Sequence, residues 1–299
     1  MKQYLLISRL KIHNANAMSS QYTIGFPAMT GWLGAVHALQ RQLHSHGFSR
    51  IRLPRVAVSC HNCDVQLYRG PHDYKNSVIG TANPLKKSKK TGNYERPPFI
   101  EEARCHLSVT LLIEIEGYDP DTEDELLEVI HRQLPGLKIC GGDIENNVEQ
   151  MHIQIEVIDE NDKCDQRALR RKLMPGYVVI ERKDLMEAAK GNGDALDQLL
   201  SCLCVRHSAD PDKDGKIKQW IGRRDGSEGW IVPLAVGFND ITGAIKAAYQ
   251  RDERYEHHFV EPIVTLGEFI MLYRFDSVEA MMWQYRYDRE NGLYLCECS

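Results

Sequence analysis

The chain has 299 residues, 42% hydrophobic and 26% charged, with a formal net charge of −5. That is an ordinary globular composition, long enough for about two domains or one elaborated domain. No apolar run approaches the ~20 residues of a membrane helix, and Tyr4 to Ile7 is too short for a signal-peptide core before Ser8 and Arg9 interrupt it. The nine cysteines, odd in number and including the tight pairs Cys202/Cys204 and Cys296/Cys298, are therefore expected as reduced thiols in a cytoplasm.

Tyr4 to Ile12 predicts a strand, with Leu6, Ser8, Leu10 and Ile12 on one face and Leu5, Ile7, Arg9 and Lys11 on the other. Asn14 to Gly25 is polar and reads as a loop. Pro27 opens a helix to about His46, with Gly47 as its stop. Met29, Trp32, Leu33, Val36, Leu39 and Leu43 form its apolar stripe, and His37, Arg41 and His44 line one shoulder. Arg55 to Cys60 and His106 to Glu116 alternate as a second and third strand. A helix from about Asp124 to Leu134 follows, with Thr122 and Glu125 at capping-box spacing and Gly136 as its end. Met151 to Val157 is a fourth strand. The order β-α-β-β-α-β is that of the ferredoxin-like unit used by RNA-recognition modules.

The expected fold class is therefore α+β. A ferredoxin-like, RNA-recognition-type core spans 1–165, with a long inserted thumb hairpin at about 64–105, and an elaborated C-terminal extension, 166–299, packs on it. The insertion contains NPLKKSKKTGNYERPP, and so long a connection inside a compact domain is usually functional. In the extension, Gln166 to Leu173 reads as a helix carrying Arg170 and Arg171, and MPGYVVIERKDL as a turn, a strand and a helix start. Leu196 to Val205 is an apolar helix, 208–229 an exposed polar loop, and GWIVPLAVGF and Phe259 to Tyr273 are apolar enough to pack on the core.

The charge is unevenly spread. The first acidic residue is Asp64, and residues 1–104 hold fifteen basic and five acidic side chains, a net +10, against 22 basic and 37 acidic ones in 105–299, a net −15. Such asymmetry points to a polyanion on one face of the molecule. The cluster Lys86, Lys87, Lys89 and Lys90, followed by Tyr94 and Phe99, joins cations to aromatic rings as single-stranded nucleic acid requires. A solvated loop is the bland explanation of that run.

Other motifs carry less. Cys60-His61-Asn62-Cys63 has the spacing of a zinc half-site but no second pair, so free thiols are preferred, and neither a metal nor a cofactor is expected. Asp210 to Gly215 mimics the start of a calcium loop, but Ile221 stands where the bidentate Glu belongs, so a polar surface turn is preferred. His37, Arg41 and His44 suit either acid–base cleavage of RNA or phosphate contact, and the acid-free segment favours contact.

The blocks Arg9-Leu10-Lys11-Ile12-His13-Asn14-Ala15-Asn16-Ala17-Met18-Ser19-Ser20, Gly25-Phe26-Pro27 and Gly34 to Arg41 closely resemble the second Csy subunit of type I-F CRISPR surveillance complexes, a Cas-five-type protein. Leu173 to Tyr177, Gly229 to Pro233 with Gly237-Phe238-Asn239, and Gly267-Glu268 look like later blocks of that family. The resemblance implies a non-catalytic, cytoplasmic subunit that binds the 5′ handle of a guide RNA in antiviral defence. It implies a large Csy subunit as tight partner, a backbone Csy subunit as neighbour, and target DNA near the complex. On that basis the expected RNA-binding set is Arg9, Lys11, Asn14, Asn16, Ser19, Ser20, Phe26, His37, Arg41, Lys86, Lys87, Lys89, Lys90, Arg170 and Arg171. The alternatives are a guide-processing endoribonuclease, a minimal-variant subunit that reads the DNA motif itself, and an assembly scaffold.

Overall fold

The structure is a computed structural model that describes residues 1–78, 85–95, 102–145, 151–188, 194–211, 216–224, 229–250, 252 and 254–298. It is a mixed α/β protein with one large antiparallel sheet and few helices. Four strands organise its first part: β1 (Lys2–Asn16), β2 (Arg55–Val65), β3 (Arg104–Glu114) and β4 (His152–Ile158). They pair antiparallel in the order β4-β1-β3-β2. Helix α1 (Met29–Ser45) joins β1 to β2, and α2 (Glu123–Gln133) lies between β3 and β4. The expected apolar stripe of α1 is buried throughout, and Gly47, at φ +99°, follows its C-terminal end.

Strict alternation along β1 does not hold. A bulge between Ile7 and Leu10 places Arg9 at φ 55°, and a second one between Ile12 and Ala15 does the same to Asn14. An extra residue shifts the phase of a strand, so residues that would have pointed outward turn in. Leu5, Ile7, Leu10, Ile12 and Ala15 all enter the main core under α1, while Tyr4 and Leu6 enter a second core on the opposite face. The expected grouping of Leu6 with Leu10 and Ile12 is thereby corrected. The expected loop from Asn14 to Gly25 is also partly strand: β1 continues to Asn16, and Met18–Ser20 pairs with Thr23–Ile24. Thr122 does not cap α2 with its side chain; its hydroxyl donates to the Asp119 carbonyl at 3.0 Å.

The C-terminal part supplies α3 (Lys163–Lys172), β5 (Tyr177–Glu181), α4 (Lys183–Glu187) and α5 (Ala195–Leu203). Strands β6 (Val205–Pro211) and β7 (Ile217–Arg224) form a separate hairpin where a polar loop was expected. Then come β8 (Ile231–Asp240), β9 (Val260–Met271), β10 (Trp283–Asp288) and β11 (Leu293–Cys298). One edge of β2 pairs with β3, and the other is shared: Arg55 and Val56 pair with β10, Ser59 and Cys60 with β5. The pairings β5-β9-β8-β11-β10 complete a closed circuit back to β2. Closure leaves those strands without a free edge on that side. Trp283, fully buried, donates its indole N–H to the Val179 carbonyl at 2.8 Å across the circuit. Among the described residues no helix is long and apolar enough to cross a membrane.

Helix α3 and the turns near Leu272 and Met281 cover part of the sheet face opposite α1, with Leu169, Leu173, Leu272, Met281 and Met282 packed on Tyr4, Leu6 and Leu112. An ionic network lies beside that second core. Arg55 donates to Glu114 and, at 2.6 Å, to Glu279. Lys2 reaches Glu160 at 2.6 Å and Glu279 at 2.9 Å, and the Tyr4 hydroxyl donates to Glu279 at 2.7 Å. Burial alone would raise the Glu279 carboxyl, but its bonds from Lys2, Tyr4 and Arg55 hold it down at about 2.

A depressed carboxyl stabilises the fold above its ordinary value of 4.5, and that contribution is lost as pH falls towards about 2. Glu279→Gln should therefore destabilise the protein by about 1–2 kcal/mol at pH 7, allowing for solvent screening. The gap to wild type should narrow as the pH drops below the ordinary value. Thermal melts across that range test this; a pH-independent gap would contradict it.

Candidate nucleic-acid interface

The end of β1 builds a polar tract. Leu10 and Ile12 point to the core, so Arg9 and Lys11 stand exposed on the opposite face of the sheet, the one partly covered by α3. His13 stacks on His106 there, ring centroids 4.2 Å apart. His61 of β2 completes this face, and a relay of hydrogen bonds fixes it. The Arg9 N–H donates to Thr110 Oγ1 at 3.2 Å, Thr110 Oγ1 bonds His61 Nε2 at 2.8 Å, and His61 Nδ1 bonds the Pro175 carbonyl. A neutral imidazole with its proton on Nδ1 satisfies all three: Nδ1–H donates to Pro175 and Nε2 accepts from Thr110. Burial pushes His61 below its ordinary value, the Pro175 carbonyl pulls it up, and Arg9 pushes it down again; the net shift is downward. Gly176 is required beside it, because a Cβ would come within 2.8 Å of His61 Nδ1.

At the second bulge the tract turns over the sheet's end. The Asn14 N–H donates to His106 Nδ1 at 3.2 Å, and the Arg104 guanidinium donates to the Asn14 carbonyl at 3.4 Å. Beyond it opens a cleft of about 750 Å³, lined among others by Asn16, Ser19, Thr30, Arg104 and Lys138. Asn16 is held by its N–H to the Cys140 carbonyl, 2.9 Å, and its Oδ1 accepts from the Met18 N–H at 3.1 Å. The N-terminus of α1 forms one wall, and Ala28 there offers no capping side chain. First-turn N–H groups without a cap are donors suited to an anion. Arg104 is ion-paired to Glu102 and Lys138 to Asp143.

This chain is matched over residues 5–296 by the profile of a family described as CRISPR-associated protein (Cas_Csy2). The chain belongs to the Csy2 family. The CRISPR-associated protein Csy2 of Pseudomonas aeruginosa (strain UCBPP-PA14) is 29% identical over 318 residues, which cover 97% of this chain and 93% of that protein. The chain is thus a Csy2 subunit of the type I-F system, and as such part of a CRISPR surveillance complex with partner Csy subunits.

Within this Csy2 chain the structure sorts the expected RNA-binding residues. Arg9, Lys11, Asn14, Asn16 and Ser19 share the tract. Arg170 and Arg171, in the last turn of α3, lie on the same side of the sheet, where Ser59 Oγ donates to the Leu173 carbonyl and Lys172 pairs with Glu156. Ser20 is buried in the small hairpin, its hydroxyl 2.8 Å from Thr23 Oγ1 and accepting from the Tyr22 N–H. Phe26 is a correction: it is 4% exposed, stacked on Trp32 and edge-on to Phe269, so it is a core side chain. His37 and Arg41 are exposed on α1, on the other side of the sheet from Arg9 and Lys11. His37 lines a separate cleft of about 440 Å³ with Gln40, Arg52, Glu116, Tyr285 and Tyr294. His44 is tied by Nε2 to the Ile51 carbonyl at 2.7 Å.

Lys86 and Lys87 pair with Glu95 and Tyr94 in an exposed hairpin, and Lys89 and Lys90 occupy its turn. Residues 79–84 and 96–101, including Phe99, lie outside the described residues, as do 212–215 of the calcium-like motif. Arg104, Lys138 and His106 are candidate-site residues that the sequence alone does not single out, and His61 stands out there only within the Cys60–Cys63 spacing. They come from three distant segments, and only their strand-end positions hint at a shared edge.

Phe26→Ala should lower stability by about 3–4 kcal/mol, the usual result of emptying an aromatic core site. At temperatures where the variant remains folded, its affinity for RNA should match wild type. Selective loss of RNA binding at unchanged melting temperature would reverse the assignment.

Proposed function

We propose that this Csy2-family subunit holds the 5′ handle of the guide RNA along the tract from Arg9 to Ser19, and that it does so without catalysis. The observation that carries this is continuity: an open, basic sheet face runs at Asn14 and Arg104 into a cleft walled by an uncapped helix N-terminus. Phosphates suit the cations and N–H groups, and the amides and hydroxyls of Asn14, Asn16 and Ser19 suit base edges. The sheet order β4-β1-β3-β2 with helices on one face supports reading the first part as a ferredoxin-like unit whose other face meets RNA. The lysine hairpin at 86–95 serves as the thumb and adds sequence-independent affinity. The large Csy subunit is the partner for target DNA recognition, the backbone Csy subunit is the neighbour along the guide, and the complex works in the cytoplasm.

Catalysis is disfavoured because the shoulder histidines are not assembled: His44 is committed to a backbone carbonyl and His37 faces a different cleft. Incubation with precursor RNA should leave it intact, and cleavage that His37→Ala or His44→Ala abolishes would establish a nuclease instead.

Asn14→Ala with Asn16→Ala should weaken handle RNA binding about tenfold at fixed salt, the loss of one or two net hydrogen bonds each. Replacing Lys86, Lys87, Lys89 and Lys90 by Ala should instead flatten the salt dependence, by about 0.7 in logarithmic slope for each phosphate left without its lysine. Unaltered affinity in the first variant together with an unaltered slope in the second would refute the reading.

A further inference from the structure

The hairpin β6–β7 belongs to neither the tract nor the large sheet. It follows directly on α5, lies against that helix, and is held at the same base end by the Arg224 guanidinium, which donates to the Ile231 carbonyl at 3.3 Å. Residues 205–224 carry six basic side chains, Arg206, Lys213, Lys216, Lys218, Arg223 and Arg224, against three acids, Asp210, Asp212 and Asp214, in the part of the chain that is otherwise strongly acidic. The register places Arg206 directly opposite Arg223. Like charges directly opposite each other destabilise a strand pair, and a polyanion removes that penalty.

The other face carries rings. Ala209 pairs with Trp220, His207 with Gly222 and Val205 with Arg224, so these six residues share one face. Trp220 is 64% exposed. His207 lies over Gly222, where an added Cβ would meet its Cε1 at 3.2 Å. Trp220 and His207 are thus diagonal neighbours on one face, flanked by Arg224, and among the described residues neither ring is stacked on another aromatic. An exposed tryptophan beside an imidazole, with cations at the edges, is a platform for unpaired bases and their phosphates. A duplex would offer phosphates but would leave the Trp220 ring without a base face.

We propose that the paired strands β6 and β7 are a second nucleic-acid contact of this subunit, which binds an unpaired strand by stacking bases on Trp220 and His207 and holding phosphates with Arg224 on that face and Arg223 on the reverse one. The strand is supplied by the guide RNA or by target DNA opened beside it. The inference uses the family membership but not the handle-binding tract.

The test uses the purified full chain and labelled oligo-U, oligo-dT and a DNA duplex, each about twelve nucleotides long, a length within the usual site sizes. Trp220→Ala should weaken binding of unpaired strands about tenfold, and Trp220→Phe should retain most of it. Arg223→Ala with Arg224→Ala should lower the logarithmic salt slope by about 1.4, the single-strand value for two phosphates. A larger loss on oligo-U identifies guide RNA as the source, and a larger loss on oligo-dT identifies DNA. Unchanged affinity and slope, or tighter binding of duplex than of either unpaired strand, overturns the proposal. If Trp220→Ala lowers the melting temperature, Trp220→Phe and the arginine pair decide. Handle RNA is measured in parallel with Asn14→Ala/Asn16→Ala. Loss there with no loss in the hairpin variants refutes this site and leaves the handle reading standing; the reverse result does the opposite.

Discussion

The relay from the Pro175 carbonyl through His61 and Thr110 to the Arg9 N–H is the interaction on which the arrangement depends. Arginine has no intrinsic preference for φ 55°, and a non-glycine residue there carries strain that its surroundings must offset. The relay does so from the C-terminal half of the chain. With the bulge in place, Leu10 and Ile12 meet α1 and the cations Arg9 and Lys11 face outward. Without it, a one-residue slip would send both cations into the core and both aliphatic side chains into solvent. The Pro175–Gly176 turn therefore shapes the N-terminal strand from the far half of the sequence, and Gly176 is set by the closeness of that turn to His61.

The two parts of the chain are joined more deeply than by surface packing. Strand β2 lends one edge to β3 and shares the other between β10 and β5, so the C-terminal strands extend the first sheet. The extension also covers only one end of the sheet face opposite α1. Tyr4, Leu6 and Leu112 are sealed by α3 and the Leu272 and Met281 turns, with the Glu279 network at the margin. Beyond Pro175 the same face is open and polar. A sheet that is apolar at one end and basic at the other can be anchored and still offer a surface, because a strand changes character along its length as easily as between its faces.

Much of this is legible in the chain because periodicity is local. The stripe of α1, the alternation of β3 and the MPGYVVIERKDL turn–strand–helix all appear where their spacing predicts. Bulges have no such signature. Asn14 is a residue type that tolerates positive φ, but Arg9 is not, and its geometry is set by Thr110 and His61 rather than by its neighbours in sequence. The β6–β7 hairpin is hidden for a related reason: both faces are almost wholly exposed, so no buried apolar side marks its alternation as a strand. Phe26 reads wrongly as a ligand contact because a family block does not distinguish a residue that touches a ligand from one that supports the loop that does. The cleft's cations, Arg104 and Lys138, come from strand ends far apart in the chain, and only the fold brings them to Asn16.

On the proposed reading, the cleft and the cations outside it would divide the work of binding in a physically specific way. Arg104 is already paired with Glu102, and Lys138 with Asp143. A phosphate entering there exchanges one anion for another, so little net Coulombic energy is gained and few counterions are released. What the cleft can offer is geometry: the α1 N–H groups, the Asn16 amide and the Ser19 hydroxyl at fixed positions. The lysines of the 86–95 hairpin sit in an exposed ribbon, with Lys86 directly opposite Glu95 and Lys89 and Lys90 at the turn, so they contribute long-range attraction with little positional information. If the tract and the hairpin bind RNA as proposed, affinity that varies steeply with salt and selectivity that hardly varies with it would reside in different segments of the same subunit. Under that reading, the separation would let the 86–95 hairpin change in length and sequence while the proposed Arg9-to-Ser19 handle contact keeps its fit.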